Sequence, residues 1–203
     1  MTTGAEKPNK PNKPNASASP TPEQSQEPTP EPRRSYLSIP VIGVSDVPVV
    51  RYPGTPDDAP GTVIQNRGPA ASPRGPGGGV GPGVVGNFIV TAHRTSHSAP
   101  FADLPVLRRG HLVQVRLARR VLTYRISRTR WTSFRSPTSL AAQSAEVPGR
   151  LGRDATAPMI TLSTCATPED HARGNYWSDE LGNPEHRIDK IGVLVGVRRA
   201  PRR

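Results

Sequence analysis

Short runs in which apolar and polar residues alternate dominate the chain after residue 35. Such alternation is seen at 36–42 and again at 47–52, 112–117 and 121–126. A period of two residues is typical of β-strands that bury one face. The last two runs flank a turn of three residues and are predicted to form a hairpin, because the apolar residues of each arm share one face.

The remaining runs predict further strands and little helix. Strands are expected at 87–91, 159–164 and 188–197, and one more at 61–66. Helical structure is limited to a turn within 100–107 and a short helix near 140–145, and the Gly/Pro-rich stretch 73–83 is expected to be loop. Seven or eight strands with short helices and long loops predict an all-β fold, a closed or nearly closed barrel.

Composition divides the chain into two parts. Residues 1–35 repeat Lys-Pro-Asn and then consist largely of Ala, Ser, Thr, Pro, Glu and Gln. Such a segment has almost nothing to bury and predicts a disordered, Pro-rich tether, with a dispensable leader as the alternative. Residues 36–203 are the predicted barrel domain.

Charge and residue usage narrow the possible functions. The chain has a formal net charge of +11, and residues 1–35 hold five Lys or Arg against four Asp or Glu, so the domain itself is basic. This charge suits an anionic cell envelope, whereas an aromatic content of 4% offers few platforms for stacking bases, and no nucleic acid is expected as partner. No stretch approaches the ~18 to 20 apolar residues of a membrane span, so no membrane anchor is expected in this sequence.

No cofactor or metal is expected. The glycines of 81–86 match G-x-G-x-x-G, but a strand follows them where a dinucleotide site needs a helix. We therefore interpret them as a turn. The histidines other than His93 show no H-E-x-x-H or Cys/His spacing, so they are expected to be exposed polar residues.

Two strand ends carry candidate chemistry. Cys165, the only cysteine, stands where the run 159–164 gives way to a loop, and His93 follows the run 87–91 in the same way. A thiol at a strand end can face a cleft while its backbone stays fixed. It needs a nearby cation to become a thiolate, which His93 could supply. The alternative is that a lone cysteine is a small, inert, buried hydrophobic residue.

These segments resemble the sortase family. Residues 161–165, Thr-Leu-Ser-Thr-Cys, are similar to its T-L-x-T-C signature, and residues 91–94, Thr-Ala-His-Arg, are similar to its T-G-H-R segment, with Ala92 in place of glycine. The order of Ile-Pro strand, histidine, cysteine and arginine also matches over about residues 36–198. The resemblance implies a sortase β-barrel in which Cys165, His93 and an arginine are catalytic.

Two arginines compete for the third role. Arg173 lies eight residues after Cys165, the short spacing usual in the family, and Arg187 lies 22 after it. Arg187 is preferred because it opens the predicted final strand, as the family arginine does, and the residues between would be an insertion. By resemblance the arginine stabilises an oxyanion, together with the backbone N–H of Ala166. Thr164, Ala166, Tyr176 and Trp177 are expected to contact substrate.

The resemblance, which is greatest to actinobacterial class E sortases, also implies a reaction and partners. A secreted protein with a C-terminal LAxTG- or LPxTG-like sorting signal would be cleaved between Thr and Gly through a thioacyl enzyme. The acyl group would pass to an amine of a peptidoglycan precursor, in the cell envelope of a Gram-positive bacterium. The alternatives are a non-catalytic basic β-barrel that binds anionic envelope polymer or nucleic acid, and a papain-like hydrolase, which the order of histidine and cysteine disfavours.

Overall fold

The computed structural model describes Met1 and residues 34–200, so the predicted tether lies almost wholly outside the described residues. The described part is built mainly from strands. They are β1 (Ser35–Ile39), β2 (Val44–Pro53), β3 (Ala70–Arg74), β4 (Gly86–Thr91), β5 (Leu112–Leu117), β6 (Arg120–Ser133), β7 (Pro158–Cys165) and β8 (His186–Arg199). Three short helices are α1 (Ala59–Asn66), α2 (Pro137–Ser144) and α3 (Thr167–Ala172), and single 3₁₀ turns lie at Pro40–Ile42 and Leu104–Val106.

The strands close into one barrel, in the order β1-β2-β3-β4-β7-β8-β6-β5. Two neighbouring pairs, β2 with β3 and β4 with β7, are parallel, and the others are antiparallel. This confirms the predicted all-β barrel. The alternating apolar residues fill its interior, including both arms of the predicted hairpin at Val113, Val115, Leu122, Tyr124 and Ile126.

The prediction of a strand at 61–66 was wrong, because this segment is helix α1. Asp58 caps the helix by accepting a hydrogen bond from the backbone N–H of Gly61 at 2.9 Å, and a proline occupies its first turn. These are ordinary signals for a helix start. Gly61 lies so close to Tyr52 that a Cβ there would come within 2.3 Å of the phenol oxygen.

Two other elements differ from the prediction. Residues 73–74 belong to β3, and the expected loop therefore begins only at Gly75. Helix α3 lies in the stretch after Cys165 that was expected to be loop. The glycines of 81–86 form a turn that leads into β4, and the N–H of Gly83 donates to the Tyr124 hydroxyl at 2.8 Å.

Asn87 ties β4 to its surroundings inside the barrel wall. Its amide nitrogen donates to the carbonyls of Gln143 and Ala145 at 2.9 and 3.1 Å, at the end of α2. Its amide oxygen accepts from the Thr161 hydroxyl of β7 at 2.8 Å. One buried side chain thus fixes the parallel pair β4–β7 and the helix beside it.

We predict that Asn87→Ala lowers the free energy of unfolding by about 1–3 kcal/mol, because it leaves a buried carbonyl, a part-buried carbonyl and a buried hydroxyl without their partner. Urea denaturation followed by circular dichroism measures the change. Gln114→Ala, on β5 between the buried residues Val113 and Val115, is the control and should change stability by less than about 0.5 kcal/mol. Equal losses in the two variants would contradict the role given to Asn87.

Candidate active site

Cys165 and Arg187 face each other across two antiparallel strands. Cys165 is the last residue of β7 and Arg187 the second of β8, and the two are partners in the strand register. The Nη1 of Arg187 lies 3.1 Å from the Cys165 sulfur. Because a guanidinium cannot lose its proton in a protein, the sulfur lies beside a permanent cation.

Arg187 is fully buried and is held from several sides. Its Nε donates to Asp57 Oδ2 at 2.9 Å, and its guanidinium carbon lies 4.4 Å from the centre of the Phe134 ring. Its Nη2 is buried and has no hydrogen-bond partner among the described residues. A buried cationic N–H without a partner is costly, and the group can serve a ligand or a developing negative charge.

His93 continues from β4 at the position that corresponds to Cys165 on β7. The parallel register pairs Thr91 with Ser163. One residue further along, the Thr164 hydroxyl donates to the carbonyl of Ala92 at 2.8 Å, so the two segments stay side by side. Adjacent strands lie about 4.8 Å apart, so His93 and Cys165 leave neighbouring strands at the same rim. The His93 Nε2 pairs with Asn66 Oδ1 at 2.7 Å, and the ring stacks on His97 with centroids 4.8 Å apart.

Arg94 fixes the backbone around the sulfur. It forms a two-pronged ion pair with Glu169 at the start of α3, and its Nη1 also lies 3.4 Å from the carbonyl oxygen of Cys165. This pair connects the residue after His93 to the turn after Cys165. The two segments are therefore held together by this pair.

Burial favours the neutral forms of the thiol and the imidazole. Burial raises the pKa of Cys165 and outweighs the lowering by Arg187, while Asp57 raises it further. Burial lowers the pKa of His93, as do His97 and Arg187, against an opposing effect of Asp57. Both shifts favour the thiol and the neutral imidazole over the thiolate and the imidazolium.

Two of the residues expected to contact substrate have structural roles here. Thr164 is buried and its hydroxyl is engaged with Ala92. Ala166 is fully buried, and its backbone N–H donates to the carbonyl of His186 at 3.0 Å. That N–H, which the sequence analysis offered as a second oxyanion donor, is thus already engaged.

The other candidates lie beyond α3. Tyr176 is exposed and its ring lies 4.8 Å from that of His171, and Trp177 is 36% exposed. Arg173 ends α3 and stacks over Trp131 at 4.9 Å. Of the two competing arginines, it is therefore Arg187 that contacts the sulfur.

Asp57, Asn66 and Phe134 were missed by the sequence analysis. Asn66 belongs to the predicted strand and Asp57 to the stretch before it, where Asp58 followed by Pro60 is a helix-start pattern that could have shown the helix. Their contacts with Arg187 and His93 span 130 and 27 residues and leave no local signal. Phe134 lies just past the end of β6, where nothing in the sequence marks it.

Within 34–200 no group of three or more His, Cys, Asp or Glu is arranged to hold a metal ion. No helix in this range is both long and apolar enough to span a bilayer.

A partly exposed thiol held against a permanent cation is the arrangement of a cysteine nucleophile. Comparison with protein families gives a more specific result, because residues 37–177 match the sortase domain. This match covers more than half of the chain, which therefore belongs to the sortase family and is a sortase-type cysteine transpeptidase. The family implies substrate proteins that carry sorting signals, and its members are typically extracytoplasmic.

Solved structures of several sortase classes share the fold. The SrtA sortase of Actinomyces oris is 18% identical with a TM-score of 0.61, and covers 86% of each chain. Sortase E1 of Streptomyces coelicolor, solved with a tripeptide in the active site, is 21% identical with a TM-score of 0.60, over 82% of this chain and 90% of its own. The SrtF sortase of Corynebacterium diphtheriae is 16% identical with a TM-score of 0.59, over 89% and 93%. Comparison with curated proteins gives no match.

We predict that alkylation of Cys165 by iodoacetamide rises with pH along a curve whose midpoint lies above the ~8.5 of an ordinary thiol. The reason is that burial raises the pKa of the thiol more than Arg187 lowers it, so the reactive thiolate accumulates only at higher pH. Mass spectrometry of samples quenched at set times measures the rate of alkylation at each pH. The urea-unfolded protein is the control and should return to the ordinary midpoint, while a native midpoint below it would contradict the pKa direction.

Proposed function

We propose that this sortase cleaves a sorting signal of the LAxTG or LPxTG kind between Thr and Gly and transfers the protein to an amine of a cell-wall precursor. The catalytic residues in this proposal are Cys165, His93 and Arg187. The observation that carries it is the contact of Arg187 Nη1 with the Cys165 sulfur at 3.1 Å, at the rim where β4 also delivers His93. It favours catalysis over a non-catalytic barrel, in which the thiol would have no need of a buried cation.

The first half of the reaction forms a thioester. The proton of the Cys165 thiol moves to His93, and the thiolate attacks the carbonyl carbon of the threonine in the signal. The tetrahedral intermediate collapses as its C–N bond breaks, and the imidazolium gives its proton to the departing glycine amine. The acyl group is then bound to the sulfur, and His93 is neutral again.

The second half of the reaction transfers the acyl group from the sulfur to the acceptor. The acceptor amine attacks the thioester carbon, neutral His93 takes a proton from this amine, and the sulfur leaves as thiolate. An amide bond joins the protein to the acceptor, and return of the proton from His93 to sulfur restores the resting state. Water can replace the amine, which gives slow hydrolysis.

Both tetrahedral states place negative charge on the former carbonyl oxygen. Arg187 is suited to stabilise it, because Nη2 is buried on the same guanidinium that contacts the sulfur and lacks a partner among the described residues. A fixed donor of this kind needs no reorganisation during the reaction. We assign no second donor, since the N–H of Ala166 is occupied.

The choice of signal and setting follows from the likeness to class E sortases. Structures of this class are among the structural relatives, and the motifs of the sequence resemble it. We therefore place LAxTG first among the candidate signals and an actinobacterial cell envelope as the setting. Tyr176 and Trp177 are candidates to contact residues next to the cleaved bond, since both are exposed beyond α3.

We predict that the protein cleaves an LAxTG or LPxTG peptide and that Arg187→Lys lowers kcat/KM about 100- to 1,000-fold, because lysine keeps the charge but loses the forked donors. Chromatography of the cleaved peptide measures the rate. Arg173→Lys is the matched control and should retain the wild-type rate. Cys165→Ala should abolish cleavage.

Mass spectrometry of the protein incubated with each peptide identifies the intermediate. An acyl mass on Cys165 that is absent from Cys165→Ala supports the proposal and names the signal. Cleavage that persists in Cys165→Ala, or a greater loss in Arg173→Lys than in Arg187→Lys, would overturn the assignment.

A further inference from the structure

Given the proposed function, we further propose that Asp57 is a positioning residue that fixes the orientation of the Arg187 guanidinium for catalysis. The three nitrogens of this guanidinium have three different environments. Nε is bonded to Asp57 at 2.9 Å, Nη1 contacts the sulfur at 3.1 Å, and Nη2 has no partner among the described residues. Asp57 thus binds the one nitrogen that the chemistry does not need.

The bond to Asp57 completes the control of the guanidinium. Phe134 lies against the guanidinium at 4.4 Å and restricts its tilt, but a ring leaves the group free to turn within its own plane. A carboxylate at Nε stops this rotation, because a charged hydrogen bond is directional and short. Without this bond, Nη1 would not stay beside the sulfur, and Nη2 would not stay in place for the oxyanion.

Asp57 is itself held by two further residues, Gln65 and Asn183. Gln65 of α1 donates to its Oδ1 at 3.2 Å and also lies 3.1 Å from the hydroxyl of Thr91, at the end of β4. The amide nitrogen of Asn183, just before β8, lies 3.4 Å from its backbone oxygen. Hydrogen bonds therefore connect the strand that leads to His93 with the arginine beside Cys165.

The backbone of Asp57 adopts a conformation that few side chains visit. Its φ is +60°, in the left-handed region that Asp and Asn tolerate better than most residues. The carboxylate itself is kept inside the protein, with the residue only 7% exposed, and is paired with Arg187. The ion pair with Arg187 offsets the cost of the conformation and of burying two charges.

The same carboxylate sets the charge of the site. Asp57 neutralises the buried Arg187, and it raises the pKa of both Cys165 and His93. The other charged or titratable groups that affect these two residues are Arg187, Arg94 and His97. Removal of the carboxylate should therefore make the thiol easier to ionise while it loosens the arginine, so that thiol reactivity and catalysis change in opposite directions.

The test uses Asp57→Asn, which nearly preserves the shape and also tolerates positive φ. We expect a 10- to 100-fold fall in kcat/KM for peptide cleavage, mainly in kcat, because a small misplacement of a catalytic group has effects of this size. The pH midpoint of iodoacetamide alkylation should move down at the same time. Asp46→Asn is the matched control: Asp46 has φ +48° and pairs with Arg116 at 3.0 Å, and its substitution should change neither measurement.

A double-mutant cycle with Arg187→Lys separates positioning from general loosening of the fold. If Asp57 acts through Arg187, Asp57→Asn has less than a threefold further effect on kcat/KM in the Arg187→Lys background. Equal effects in the two backgrounds, or a wild-type or higher rate in Asp57→Asn alone, would overturn the proposal. Asp57→Gly relieves the backbone conformation and gives a second variant if the thermal midpoint of Asp57→Asn falls by more than a few degrees.

The alkylation measurement requires no peptide, so it separates the two proposals. If the wild-type protein cleaves none of the peptides, the proposed function fails, while a lowered alkylation midpoint in Asp57→Asn that is absent from Asp46→Asn still supports a role for the Asp57 carboxylate at this site. If the wild-type protein cleaves and the midpoint and rate of Asp57→Asn are unchanged, only the role of Asp57 fails.

Discussion

The contact between the Arg187 guanidinium and the Cys165 sulfur is the interaction on which the rest of the site depends. A fully buried arginine is rarely tolerated, and here the barrel supplies a carboxylate, an aromatic face and a thiol around it. The antiparallel register of β7 and β8 sets the two residues opposite each other. Any change that shifted this register by one residue would turn one of the side chains to the other face of the sheet.

The strand ends that carry the candidate site residues could be predicted from the sequence because each apolar run stops where its strand stops. Cys165 and His93 each follow an apolar run, and Arg187 opens another. The barrel followed from the same pattern, since short amphipathic strands without strong helices have few ways to close a core. These features are local, and local patterns are what a single sequence records best.

The groups that orient these residues could not be predicted in this way. Helix α1 has only eight residues and a weak apolar pattern. It therefore depends on its cap and on contact with Tyr52. β3 reads Ala-Ala-Ser-Pro-Arg and has little intrinsic preference for a strand, but parallel pairing with β2 makes it one. Asp57 meets Arg187 only after the chain has folded, and no spacing in the sequence announces a contact over 130 residues.

The parallel pairing of β4 with β7 also bears on how the enzyme is made. Its strands are separated in the chain by two other strands, helix α2 and a 3₁₀ turn, and contacts between distant segments form slowly because loop closure must come first. A polypeptide emerging from the ribosome holds the histidine long before the cysteine and the arginine. Cys165 therefore meets Arg187 only when β8, the last strand, joins the barrel. A chain that ends before this strand lacks the complete site.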